Sequence, residues 1–179
     1  MIALQGKGDP PALADTGPPG RSDFEELYAA HFQPLTVQLF AYTNDMGAAQ
    51  EVVQEAFCRA LARWKKIALY DDPSAWVRRV AWNLATNRWR RARTAAQFLR
   101  RQREEYSPAP NPDRVALAQA LKALPARQRR AVILYYLADL PVNEIARQDG
   151  VAEATVRSWL HRGRTALAAQ LSGQGERHA

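Results

Sequence analysis

Apolar residues recur every three or four positions over most of the chain, and strict apolar–polar alternation is almost absent. That period belongs to helices that bury one stripe. The first predicted helix starts near Ser22, a capping residue with Glu25 three residues on as its box partner. Phe24, Leu27, Tyr28, His31 and Phe32 form its inner stripe. A second helix is predicted over Pro34–Tyr42. A third covers Met46–Ile67, with Ala49, Val52, Val53, Ala56, Phe57, Ala60, Leu61 and Trp64 on one broad face. Tyr70-Asp-Asp-Pro-Ser reads as a turn, and a long fourth helix runs from Ser74 to about Arg93. In Ser107-Pro-Ala-Pro-Asn-Pro the closely spaced prolines forbid helix. Helices resume over Asp113–Leu124 and Pro125–Ala138, the second with its proline near the first turn. The expected fold is all-α, with two small helical domains at 21–103 and 113–172. A disordered tail (1–20), a Pro-rich linker (104–112) and a short end (173–179) complete it. A linker of this composition predicts that the two domains move independently unless a partner clamps them.

The last pair of helices carries the sharpest signal. Val142-Asn-Glu-Ile-Ala-Arg-Gln-Asp-Gly-Val-Ala-Glu-Ala-Thr-Val-Arg-Ser-Trp-Leu-His-Arg reads as two short amphipathic helices about a glycine turn. Ala146 is small, as a close helix crossing requires. Gly150 permits the left-handed turn that stops the first helix. Glu153 places an acid at the positive end of the second helix, and Val156 is predicted to bury against Ile145. The opposite face carries Thr155, Arg157, Ser158, His161 and Arg162. This is the pattern of a helix-turn-helix, whose second helix enters the DNA major groove. Arginine can pair with guanine O6 and N7, and Ser and Thr can serve bases or phosphates. The competing reading is an ordinary helical hairpin with a solvated basic face.

Charge sharpens this picture. The chain has 179 residues and a formal net charge of +7, with a pI near 10.0, so an acidic polymer is the expected partner. From Pro73 to Arg103 there are nine arginines and no acid, whereas from Arg21 to Asp72 acids outnumber bases eight to five. Such a division suits a chain that meets a protein with one part and nucleic acid with another. Within the basic stretch, Trp76, Val80, Asn83 and Asn87 recur at helical spacing, and Trp82 and Trp89 lie seven apart. Aromatic rings among arginines suit unstacked bases resting on π-faces while guanidinium groups hold phosphates. The alternative is that the tryptophans are core, with Trp76 and Val80 the best candidates.

Other chemistry is excluded or thin. There is no Gly-rich phosphate loop, and His31, His161 and His178 have no metal spacing, so no enzyme, metal or cofactor is expected. The lone Cys58 permits no internal disulfide and is expected as a buried thiol. No apolar run reaches about eighteen residues, and the first twenty lack the apolar segment of a signal peptide. A cytoplasmic protein without membrane insertion is the expectation.

Four segments together resemble the extracytoplasmic-function class (group IV) of bacterial RNA polymerase sigma factors, in the sigma-70 family. They are Glu51-Val-Val-Gln-Glu-Ala-Phe, Ala75-Trp-Val-Arg-Arg-Val-Ala-Trp-Asn, Leu124-Pro-Ala-Arg-Gln-Arg and Thr155-Val-Arg-Ser-Trp-Leu-His-Arg-Gly-Arg. The resemblance implies that domain 2 (21–103) binds the β′ clamp helices of core RNA polymerase and opens the −10 element. It makes Glu51, Gln54, Glu55 and Phe57 candidates for the polymerase contact. It likens the turn Tyr70–Ser74, with Asp72 and Ser74, and Asn83 to a pocket for a flipped base. Arg78, Arg79, Arg88, Arg90 and Arg91 would hold phosphates around it. Domain 4 (113–172) would meet the β flap and read the −35 duplex through Thr155, Arg157, Ser158, His161 and Arg162, about two turns from the melted DNA. An anti-sigma factor is an implied partner. With no further domain expected after residue 172, regulation would come from a separate protein. Trp159 stands where the family often has a basic residue, Glu153-Ala replaces a common glycine, and Asp149 replaces a common apolar residue. Two further readings are a stand-alone helix-turn-helix regulator and a nonspecific single-strand binder, whose affinity would follow salt and not sequence.

Overall fold

The computed structural model describes residues 20–98 and 112–175. Most of the expected tails and of the expected linker, with Arg100, Arg101 and Arg103, lies outside the described residues. Every regular element described is a helix: α1 (Arg21–Thr43), α2 (Met46–Leu61), α3 (Trp64–Ile67), α4 (Pro73–Phe98), α5 (Pro112–Ala123), α6 (Ala126–Tyr136), α7 (Val142–Asp149) and α8 (Glu153–Gly175).

Boundaries differ from the sequence expectation at three places, each for a local reason. Helix α1 is continuous through Pro34 instead of breaking there. Pro34 and Ala30 are both exposed, so water can take the Ala30 carbonyl that proline has no N–H to serve. The cap of α1 is Gly20, whose N–H donates to Asp23 Oδ2 at 2.9 Å, in place of the expected Ser22–Glu25 box. The expected helix over Met46–Ile67 is divided, because Arg63 leaves helical geometry. That break turns Trp64 inward, where Nε1 donates to the Gly20 carbonyl at 2.9 Å and the ring packs edge-on against Phe24.

Helices α1, α2 and α4 enclose Leu39, Val52, Val53, Phe57, Val77 and Trp82, while α5 to α8 enclose Ile133, Leu134, Ile145 and Val156. Burying each such large apolar side chain contributes about 1.5–3 kcal/mol. The two groups form one continuous core, and α1 packs against α5 and α6 as well as α2 and α4. The expectation of independently moving units is therefore corrected: in this structure they are joined. Trp82 is fully buried and Trp76 and Val80 only partly so, which reverses the expected order of core candidates. Cys58 is exposed, not buried, because it lies on the outer face of α2 beside Gln54.

Candidate nucleic-acid interface

In the C-terminal unit, α7 and α8 form the helix-turn-helix. Gly150 adopts φ 67°, ψ 38°, and its N–H donates to the Ala146 carbonyl; the Val151 N–H reaches the same oxygen at 3.0 Å. This left-handed close ends α7 and redirects the chain into α8. Ile145 and Val156 are fully buried, and Ala146 and Leu160 nearly so. At Gly163 a Cβ would lie 2.7 Å from Val132 Cγ2, so the glycine lets α8 lie close on α6. With that inner face fixed, Arg157, His161 and Arg162 stand exposed, and Thr155 and Ser158 are half-buried beside them. Arg162 Nη2 donates to Ser158 Oγ at 2.8 Å, and Arg157 pairs with Glu153 at 2.6 Å. Both contacts are solvent-exposed and contribute little to stability, so these side chains can re-aim at DNA. Trp159 packs half-buried against the core, with the Arg127 guanidinium 5.8 Å from its ring centre.

In the N-terminal unit, α4 begins on a built cap. Asp72 Oδ1 accepts from Ser74 Oγ at 2.6 Å and from the Ala75 N–H at 2.9 Å, and Arg78 Nη2 lies 3.9 Å from its second oxygen. Burial alone would push the Asp72 carboxyl up, but these hydrogen bonds and Arg78 outweigh it and hold it below the usual range. Asp72 and Ser74 thus serve each other and the helix start. Removing the cap with Asp72→Ala is expected to cost about 1 kcal/mol at neutral pH. A carboxyl with a depressed folded pKa stabilises above its unfolded pKa and loses that contribution as pH falls through its folded value. Thermal melts of wild type and variant should therefore converge as pH falls below the ordinary carboxylate range.

Beyond the cap, Arg79, Asn83, Arg90 and Arg91 are exposed along α4. Arg88 points elsewhere, toward α2, with Nη1 at 3.2 Å from Glu51 Oε2 and Nη2 at 2.8 Å from Glu55 Oε2. A candidate phosphate ligand is thus brought together with two candidate polymerase contacts. Gln54 is exposed on the same helix. Phe57 is 2 % exposed and packs against Phe24, Tyr28 and Phe32, so it shapes α2 from within and presents no side chain to a partner. The expected stacking platform is also corrected. Trp82 packs edge-on to Tyr42 at 5.2 Å, and the Arg130 guanidinium covers its ring at 5.1 Å. Trp89 packs on Tyr42 at 5.9 Å under the Arg129 guanidinium. Those rings are occupied by this chain's own residues.

The sequence reading missed a cleft of about 1070 Å³ beside the turn before α4. Tyr70, Trp76, Trp64 and Tyr28 line it, with Arg63, Lys65 and Lys66. The signal was present in Arg63-Trp-Lys-Lys, which was absorbed into one long predicted helix. Among the described residues no group of three or more His, Cys, Asp or Glu could hold a metal, and no helix is long and apolar enough to cross a membrane.

A helix-turn-helix with an exposed basic face, joined to a second unit with arginines along a capped helix, has the architecture of a DNA-binding protein. Comparison with known proteins makes the class specific. The family description Sigma-70 region 2 matches residues 27–95, and Sigma-70, region 4 matches residues 114–167. The RNA polymerase sigma-E factor of Streptomyces antibioticus is 31% identical over 152 residues, covering 83% of this chain and 84% of that protein. The ECF RNA polymerase sigma factor SigW of Bacillus subtilis is 26% identical over 182 residues, covering 92% and 91%. Among solved structures, the sigma factor RpoE in complex with the anti-sigma factor NepR from Bartonella quintana shares the fold, with a TM-score of 0.72 and 21% identity over 84% of this chain and 98% of that one. The chain belongs to the sigma-70 family of bacterial RNA polymerase sigma factors, of the extracytoplasmic-function type. It binds core RNA polymerase and directs promoter-specific initiation, and it is not an enzyme. The stand-alone regulator reading is not favoured.

Proposed function

We propose a division of labour among the helices of this sigma factor. Helix α8 anchors the −35 duplex with Arg157, Ser158, His161 and Arg162, and Thr155 supports the approach. Helix α4 and the cleft before it take up the melted −10 strand. Asn83 and the cleft's aromatic residues receive an unstacked base, while Arg79, Arg90 and Arg91 hold phosphates. Asp72, Ser74 and Arg78 set the geometry of the turn. The outer face of α2, with Glu51, Gln54 and Glu55, meets the β′ clamp helices, and the C-terminal unit meets the β flap. Arg88 orders the α2 carboxylates. The protein acts in the cytoplasm, with an anti-sigma factor as a further partner, a pairing supported by the structurally similar RpoE in complex with the anti-sigma factor NepR.

The observation that carries this reading is the separation of faces on α8. Its packing side is buried to the last atom at Val156, while Arg157, His161 and Arg162 lie open to solvent. Arg162→Ala should weaken −35 duplex binding by about 1–3 kcal/mol at fixed salt, as for a base-reading arginine. Asn83→Ala should impair open-complex formation more than closed-complex binding. Promoter-specific transcription with core polymerase, footprinting and duplex titration read both. Unchanged duplex affinity for the first variant, or equal loss at both stages for the second, would remove the assignment.

A further inference from the structure

A second cleft, of about 270 Å³, opens where α4, α6 and α8 meet. Trp89 and Trp159, both half-buried, furnish its apolar walls. Arg90, Arg127 and Arg130 line it as well, against a single carboxylate, Asp149. That carboxylate is already engaged by Arg130, whose Nη2 lies 2.8 Å from Oδ1. The cleft therefore combines apolar walls with an excess of positive charge.

Two further features point to an anion. Arg130 is 8 % exposed, and its Nε is buried with no hydrogen-bond acceptor among the described residues. A buried donor without a partner is rare and costly. The start of α6 also lines the cleft, through Ala126 and Arg127. Pro125 gives that helix no side-chain cap. Its first N–H groups lack an intrahelical acceptor and present the positive end of the helix dipole. Arg127 is exposed but placed, since its guanidinium lies 5.8 Å from the centre of the Trp159 ring. That contact holds a cation ready at the rim.

We propose that this cleft binds a small aromatic phosphate of the size of a nucleoside monophosphate. The ring goes to the indole walls, because flat π-systems pack well on aromatic side chains. The phosphate goes to Arg127 and the first turn of α6, where a guanidinium fork and free N–H groups both suit its oxygens. An aliphatic anion would leave the indoles facing water, and an uncharged ring would leave the N–H groups unserved. Size sets the rest. Small-molecule pockets usually offer roughly 300–1,000 Å³, and this one falls just under that range, so one base with its phosphate fits and a dinucleotide does not. The site can be tested without DNA or polymerase, and its failure would leave the promoter assignments standing.

Adenosine 5′-monophosphate, adenosine and inorganic phosphate are titrated separately into the full-length chain, by calorimetry and equilibrium dialysis. The monophosphate should bind one-to-one, with half-saturation below about 1 mM. Adenosine and phosphate should each bind roughly tenfold more weakly or worse, because each fills half of the site. Arg127→Ala should weaken the monophosphate roughly tenfold, the usual effect of a lost charge-assisted contact. Trp159→Leu keeps an apolar wall but removes the ring, so it should weaken adenosine and its monophosphate alike and leave phosphate unchanged. Lys66→Ala, in the cleft before α4, should leave all three unchanged. Should Trp159→Leu not fold, the Arg127→Ala titration decides alone. A monophosphate that does not saturate below that level, phosphate that binds as tightly as the monophosphate, or equal affinity in wild type and Arg127→Ala would overturn the proposal. So would a short single-stranded oligonucleotide that binds through Arg127 while the monophosphate does not, which would assign the cleft to DNA.

Discussion

Trp82→Ala is expected to destabilise the protein by about 3–5 kcal/mol, the range for emptying a buried aromatic site. Trp82 has no exposed surface, touches Tyr42 edge-on and supports the Arg130 guanidinium on its face. The substitution therefore leaves a cavity in α4 and removes the surface on which the Arg130 guanidinium rests. Urea or thermal unfolding of the full chain measures it. Were Trp82 a platform for DNA bases, stability would change by less than about 0.5 kcal/mol, and single-strand affinity would fall by about 1–3 kcal/mol. The two outcomes are far enough apart for one denaturation curve to decide between them.

Arg130→Ala should be nearly as damaging, at about 3–5 kcal/mol, because it strands a buried carboxylate. Arg130 and Asp149 are 9% and 12% exposed at their side chains. Burial raises the Asp149 carboxyl above its usual range, even though Arg130 opposes that shift. Burial likewise lowers the Arg130 guanidinium, against the pull of Asp149. For both partners the loss of water outweighs the attraction between them, so the pair is not itself a strong source of stability. Replacing both with apolar residues, Arg130→Met with Asp149→Leu, should recover most of the loss. The pH dependence follows from the sign. A carboxyl with a raised folded pKa binds its proton more tightly in the folded state, so lowering pH through that window favours folding. Without Arg130 the carboxyl rises further. The deficit of Arg130→Ala relative to wild type should therefore shrink as pH falls from neutral toward the ordinary carboxylate range. A deficit independent of pH would mean that Asp149 finds another partner or reaches water. Because Arg130 lies on Trp82, the Trp82 and Arg130 losses should not add.

Much of this was legible in the sequence, where the cause was local. The helix-turn-helix could be read because Gly150 and the three-to-four spacing within each half, Val142 to Ile145 and Ala146, then Val156 to Leu160, act within one or two turns. The all-α fold followed from the same periodicity. The candidate sites were less legible where a side chain's fate depends on something distant. Arg129 and Arg130 sit in an arginine-rich run that carries no local sign of burial. Their burial depends on Tyr42, Trp82 and Trp89, brought to them from 40 residues or more away. Trp82 and Trp89 misled for the complementary reason: aromatic rings among arginines look like a nucleic-acid platform, but here the cations that cover them belong to the same chain. Asp149 looked like a departure from the motif and turns out to be the partner that fixes Arg130. Arg88, a phosphate ligand by the family resemblance, pairs in this structure with Glu51 and Glu55 one helix away, a contact that its sequence neighbours do not announce. Trp64 could be read as inward from its spacing to Ala60, but the break at Arg63 leaves no periodic trace.

Helix α8 packs through Val156, Leu160 and Gly163 and faces solvent through Arg157, His161 and Arg162. Gly163 leaves no room for even a methyl group against Val132, so the inner side has almost no freedom to vary. The outer side bears none of that burden. On the proposed −35 reading, a change of promoter preference needs only an exchange of outward side chains and leaves the packed face intact.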